Sequence, residues 1–395
     1  MILFSMFLAA LNMINRFYIF VLVALLIFLV APKRKLRVNR SVFVLGILGI
    51  AVLIFNPQSN DRMLDMLKPF TYFLCYMMGF GLIQYKAYEP TDLRQDEQKV
   101  SSVIYVMAGG AFLHFLLNMI TNLKVIKREM VIDFWTKSEM AATGQAALAC
   151  LAVAISIAFL FTKVGKWKKF VAILTLALIV SYNLILAGRT IFVLIIVVLI
   201  AALVYLRTVE KKKISNVILI CMAIILVLLI LYQVNIFGIR TTVESSNFYL
   251  RFYGDASTQE LNDDARWTHK LAYLEHFLKY PFGGGNIRNL YGHSAHDLYL
   301  DTYDESGVIA FLAIVIYIIS SLIRMVKCVR NKNIALETRL LIFCVYLVCN
   351  IEFWLEPIMR GMPWLLTSYC FIDGAVTYLL MREKDLRMIN QMPYR

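Results

Sequence analysis

Apolar runs close to the length of a membrane-crossing helix follow one another along this chain, separated by short connections rich in Lys and Arg. That alternation constrains the fold more than any other feature. In hydrocarbon each backbone N–H and C=O must find its partner within the protein, and a helix supplies those partners from its own segment. A spanning helix takes about 20 largely apolar residues, within a range of roughly 17–25. About twelve runs qualify as candidates: 1–14, 17–31, 41–56, 66–85, 101–120, 141–162, 168–187, 190–206, 214–235, 308–327, 339–355 and 363–380. Asn12, Asn15 and Arg16 interrupt the first two, which a single long helix with a break would reduce to one. The 60% hydrophobic fraction, against about 45–50% in soluble domains, points the same way. The expected fold is therefore an all-α integral membrane protein.

Lys and Arg favour the cytoplasmic ends of spans, and here they concentrate in alternate connections, beginning with PKRKLRVNR at 32–40. This places both termini inside and the long segment 236–307 outside. It also accounts for the net charge of +14 without nucleic acid as a partner. The N-terminus lacks a basic region and a small-residue cleavage site, so the first helix is expected to be retained. Three parts result: 1–235 with helices 1–9, the outer loop 236–307, and 308–395 with helices 10–12 and a cytoplasmic tail. The seven cysteines fall almost entirely in apolar runs and read as small buried hydrophobes.

Four of the five histidines lie in the outer loop, at 269, 276, 293 and 296. Trp267, Leu271, Leu274 and Leu278 recur at i, i+4, i+7 and i+11, predicting an amphipathic helix from Asp264 that ends before Pro281. Gly283-Gly284-Gly285 breaks it, and a second short helix is expected from His296 to about Glu305. The stretch 240–262 has no legible architecture. His293 and His296 stand one helical turn apart and admit three readings. They lack a third metal ligand at standard spacing. They fit structural histidines bonded to backbone. They also fit a general base or phosphate-binding pair beside Arg266, Arg288 and Asp297. A carboxylate, Asp297 or Asp301, would orient the base as in hydrolytic triads.

Arg189 stands where two apolar runs meet at the outer face. It reads either as an arginine snorkelling to headgroups or as a clamp on a lipid phosphate, for which its planar fork of donors is suited. Glu352, Glu356 and Arg360 lie at an outer helix end, facing the same cavity or pairing with each other. His114 and Asp373 lie deeper and read as satisfied buried groups. The triglycine lacks the lysine of a phosphate loop and reads as a turn holding the two short helices together.

Taken together, Arg266-Trp267, PFGGG at 281–285 and GHSAHDLYLDTYDESG ahead of a span resemble the O-antigen ligase and polysaccharide polymerase superfamily. The superfamily's motif is a His, then Asn, Ser or Gln, nine residues, a Gly, and a second Gly three further on. Here the positions are His296, Asp297, Gly307 and Ala310, so the second and the last depart. The resemblance implies a metal-independent, cofactor-free glycosyltransferase of the bacterial cytoplasmic membrane with its active site on the outer face. His296 would be the catalytic base, and Arg189 and Arg266 would bind the diphosphate. His293, Arg288, Asp297, Glu356 and Arg360 would be accessory. The implied partners are an undecaprenyl-diphosphate-linked glycan donor, a glycan acceptor, membrane lipid and a chain-length regulator. Polymerase is the expected member, for capsule, exopolysaccharide or O-antigen chains, because polymerases are the more numerous. The alternatives are an O-antigen ligase of the same superfamily and, from another class, a flippase or transporter. Few deep charges and no duplicated halves weigh against transport.

Overall fold

A computed structural model describes residues 1–31, 38–55, 68–83, 93–123, 131–186, 188–212 and 265–391, with isolated positions between 213 and 264. Among these residues the chain is all helical. In order the helices are α1 (Ile2–Ala10), α2 (Phe17–Val30), α3 (Arg40–Phe55), α4 (Phe70–Ile83), α5 (Leu93–Thr121), α6 (Ala142–Phe161), α7 (Lys166–Ile185) and α8 (Thr190–Thr208). They continue with α9 (Ala265–Glu275), α10 (Asn286–Tyr291), α11 (Leu298–Arg330), α12 (Leu336–Leu355), α13 (Ile358–Gly361) and α14 (Pro363–Gln391).

Seven of these, α5, α6, α7, α8, α11, α12 and α14, are long and apolar enough to cross a membrane, which makes this a multi-pass membrane protein. The expectation of twelve spans is not met among the described residues. Helices α2, α3 and α4 run only 14, 16 and 14 residues, roughly 21–24 Å at the helical rise, short of a hydrocarbon core near 30 Å. Apolar composition marked these runs as helices, and among the described residues they fall below the length of a span. The expected run 214–235 and the stretch 240–262 lie outside the described residues, isolated positions apart.

The single-helix alternative for 1–31 is overturned. Asn12, Ile14 and Asn15 adopt positive φ of 47°, 51° and 55°, a conformation that ends a right-handed helix. The chain folds back there, and the Ser5 hydroxyl donates to the Phe20 carbonyl at 2.7 Å.

Backbones approach closely where glycine permits it. A Cβ at Gly79 of α4 would lie 2.0 Å from the Phe371 carbonyl oxygen of α14, and one at Gly374 would lie 2.1 Å from that of Tyr76. Small residues at crossings are the usual device of helix association in lipid. A buried ion pair joins α11 to α14: Arg324 Nε donates to Asp373 at 3.0 Å, and the hydroxyls of Tyr317 and Tyr346 donate to the same carboxylate at 3.0 and 2.7 Å. Asp373 is thus the satisfied buried group that was expected.

Three of the basic connections meet at one end of the bundle. Glu210, past α8, pairs with Lys332 at 2.9 Å and with Arg339, while Asn333 donates to Glu383 of α14 at 2.6 Å. The opposite end carries the histidine segment.

Candidate active site at the histidine end

Gly307 divides α11. Its φ of 78° and ψ of −177° break the helix, so the short helix expected from His296 to Glu305 is the first part of α11, from Leu298. A break strands the carbonyls before it and the N–H groups after it, and the 281–285 loop satisfies both. Gly284 and Gly285 N–H groups donate to the carbonyls of Glu305 and Asp304 at 3.2 and 2.7 Å, and Val308 N–H donates to Pro281 at 2.9 Å. The triglycine is therefore a turn, as expected, and also the cap of a broken helix.

The other loop helix runs shorter than expected, over Ala265–Glu275, and its buried face is not the leucine stripe. Trp267, Leu271, Leu274 and Leu278 are exposed, Leu278 by 85%. Tyr273 is buried instead, in a small core with Ile287, Ala295, Leu300 and Tyr303. The reason is aromatic packing one residue out of register with the stripe: Phe277 stacks on Tyr303 with centroids 4.1 Å apart. Tyr273 donates to the His293 carbonyl at 2.8 Å. Lys270 donates to the Trp354 carbonyl at 2.6 Å and pairs with Asp297 at 3.3 Å.

His296 is held by its neighbours on both sides. Ala295 N–H donates to Asp301 at 2.8 Å, and Asp297 caps α11 by accepting from Leu300 N–H at 2.7 Å, as N-cap aspartates do. Between them His296 takes a positive φ of 56°. Both carboxylates weighed as partners of the base therefore fix the backbone that presents it. Burial pushes the Asp297 carboxyl above its ordinary value, against the opposing pull of Leu300 N–H and Lys270. Three imidazoles form a column: His269 stacks on His293 with centroids 4.4 Å apart, and on His296 at 6.2 Å. Burial first, and the neighbouring His293 second, lower the His269 pKa, so its ring stays neutral near pH 7.

A cavity of about 340 Å³ opens beside His296. Glu356, just past α12, lines it and is 1% exposed. His114 of α5 and residues of the 131–140 hairpin line it too, an arrangement not expected from the sequence. His114 Nε2 lies 2.7 Å from Asp133. The hairpin is pinned to α5 by amides: Asn122 donates to Ile132 O at 2.7 Å and accepts from Ile132 N–H at 2.9 Å, and Asn118 accepts from Phe134 N–H at 2.7 Å. Asp133 itself closes a turn by accepting from the N–H groups of Trp135 and Thr136 at 2.9 and 2.8 Å. His114 is therefore more than a satisfied buried group, since it reaches the cavity.

Burial alone would raise the Asp133 carboxyl, but the bonds from His114 and Thr136 outweigh it and hold it at about 2. The sign follows from linkage: with the folded value below the ordinary one, Asp133 contributes stability above about pH 4 that fades as pH falls through about 2. Acidification from pH 4 to 2 is expected to release the hairpin, read as a Trp135 fluorescence change absent from Trp135→Phe. In Asp133→Asn that acid step should vanish; its persistence would remove Asp133 as the cause.

Arg360 pairs with Glu305 at 2.9 Å, tying α13 to α11. Arg288 sits on α10, its N–H 3.4 Å from Asp304, and its Nη1 has no hydrogen-bond partner among the described residues. Arg189 precedes α8 at the same end; a Cβ on its neighbour Gly188 would stand 3.6 Å from Ala142, which lies between the cavity residues Ala141 and Thr143. Arg266 falls on α9, and its side chain lies outside the described residues. Of the expected site residues His296 and Glu356 line this cavity, while Lys270, His269 and the His114–Asp133 pair escaped notice as site residues. No protein-family model matches this chain, and no curated protein matches it.

Proposed function

We propose that this protein is a polysaccharide polymerase of the bacterial cytoplasmic membrane, extending a glycan carried on undecaprenyl diphosphate at the outer face. One observation carries the reading: His296, held in a left-handed turn by backbone bonds to Asp297 and Asp301 on either side, lines a cavity at the end of the bundle. In the proposed step an acceptor hydroxyl oxygen attacks the anomeric carbon and its proton passes to His296. The bond from that carbon to the diphosphate oxygen breaks, and its electron pair leaves with the diphosphate. Arg189 and Arg288, with Arg266 as the resemblance implies, supply positive charge where negative charge develops.

The test is purified protein in detergent given undecaprenyl-diphosphate-linked repeat units. Longer glycans with release of undecaprenyl diphosphate are expected. No elongation by folded protein with any supplied repeat unit counts against the reading. Arg189→Lys is expected to lower the rate about 10- to 100-fold, since a charge-assisted bond is worth about 1.5–3 kcal/mol and lysine lacks the planar fork. Wild-type rates in that variant would return Arg189 to the snorkelling role.

A further inference from the structure

We propose that the cavity between His296 and the 131–140 hairpin is a binding site for the hydroxyl-bearing face of a neutral sugar, not for the diphosphate. This deepens the function above and rests on it only for the name of the ligand's carrier. The lining argues the point by charge. Among the described residues no Lys or Arg lines the cavity, whereas Glu139, Glu356 and Asp133 do. Carboxylates on the wall of a small cavity repel a diphosphate and accept hydroxyl protons. Arg288 and Arg360, which would suit phosphate, stand outside it. Thr136 and Ser138 add hydroxyls that both donate and accept, and Trp364 adds an apolar ring surface for the C–H face of a sugar. At about 340 Å³ the cavity falls in the usual range for small-molecule pockets, about 300–1,000 Å³.

The second, independent observation is His114. It is 1% exposed, lines the cavity and is fixed through Nε2 on Asp133, yet its Nδ1 has no hydrogen-bond partner among the described residues. A buried polar atom left without a partner is costly, and such an atom beside a cavity calls for an explanation. Nε2 is engaged with Asp133, so Nδ1 is the ring nitrogen left to hydrogen-bond a ligand. A sugar hydroxyl bound there would satisfy it. His114 is then a positioning residue for the sugar in the cavity that His296 also lines. The rigidity of the hairpin serves the same end, because Asn118 and Asn122 hold the backbone that carries Asp133, Thr136 and Ser138.

The experiment is direct binding to the full-length protein in detergent, read by saturation-transfer NMR. The probes are the methyl glycosides of glucose, galactose, mannose and N-acetylglucosamine, with inorganic pyrophosphate as competitor. Saturable binding of at least one glycoside is expected, unmoved by pyrophosphate. His114→Gln, which keeps a donor for Asp133, is expected to weaken that binding about fivefold, the worth of one neutral hydrogen bond. Gly144→Leu is the second variant: only the flexible Met140 side chain stands within 4 Å of a Cβ at this lining position, so leucine should fill the cavity and abolish binding. Gel-filtration position and unfolding midpoint check that both variants are folded. Absence of binding by all four glycosides, displacement by pyrophosphate, or wild-type binding in both variants would overturn the proposal. Glycoside binding without elongation sinks the polymerase alone; elongation with glycoside binding indifferent to His114 and Gly144 sinks the sugar site alone.

Discussion

Replacing His296 by asparagine is expected to lower glycan elongation about 10²- to 10⁴-fold, the contribution typical of a positioned general base, with the amount of folded protein unchanged. Asparagine is the informative choice because of the backbone. His296 sits at a φ of 56°, where Asn and His are tolerated better than most residues. Alanine at this position would carry backbone strain with no polar side chain, mixing a folding defect with a chemical one. The bonds that shape the turn, Ala295 to Asp301 and Leu300 to Asp297, involve no imidazole atom and survive the change. A folded His296→Asn protein that elongates glycans at the wild-type rate would end the assignment of the base.

How much of this was readable in advance depends on the range of the interactions concerned. Continuous apolar runs gave α6, α8 and α12 to within three residues at each end, because a spanning helix answers to composition over its own length, whereas α5 begins eight residues before its apolar run. The local signals were also legible: the triglycine as a turn and a short helix ending at about Glu305 are decided by residues a few positions apart, although the sequence suggests Asp297 as a partner of the base and not as the cap it is. The failures are of longer range. The stripe Trp267, Leu271, Leu274 and Leu278 has a helical period, but which face a loop helix buries depends on the partners it meets, and here Tyr303 and Phe311 select the tyrosine side. His114 and Asp133 are separated by 19 residues and read singly as one buried histidine and one loop carboxylate. A signal did exist for the hairpin: Asp133 is followed three residues later by Thr136, a spacing at which an aspartate closes a turn. What no periodicity could show was that the turn descends to meet α5.

The largest structural effect is expected at Gly307, where alanine should undock the loop from the bundle. Two costs add. The φ of 78° with ψ of −177° lies in a region open almost only to glycine, worth about 1–3 kcal/mol to any other residue. A Cβ there would stand 2.6 Å from the Pro281 carbonyl oxygen and 2.9 Å from the Phe282 carbonyl carbon, backbone atoms that must move, at about 1–3 kcal/mol for overpacking. Moving Pro281 breaks its bond from Val308 and drags Gly284 and Gly285 away from the carbonyls they cap. The expected sum is about 2–6 kcal/mol, falling on the segment that carries Arg288 and shapes the approach to His296. Gly292 supplies the comparison. It has nearly the same φ, 77°, but nothing within 4 Å of a Cβ, so Gly292→Ala should cost only the strain of left-handed backbone, about 1–2 kcal/mol. Amide hydrogen exchange over 281–308 reads the difference: in Gly307→Ala these amides should lose protection while those of α6 and α12 keep it, and in Gly292→Ala both sets should stay protected. Equal protection in the two variants would mean that the close approach of Gly307 to Pro281 and Phe282 does not hold the loop in place, and the geometry around His296 would need another cause.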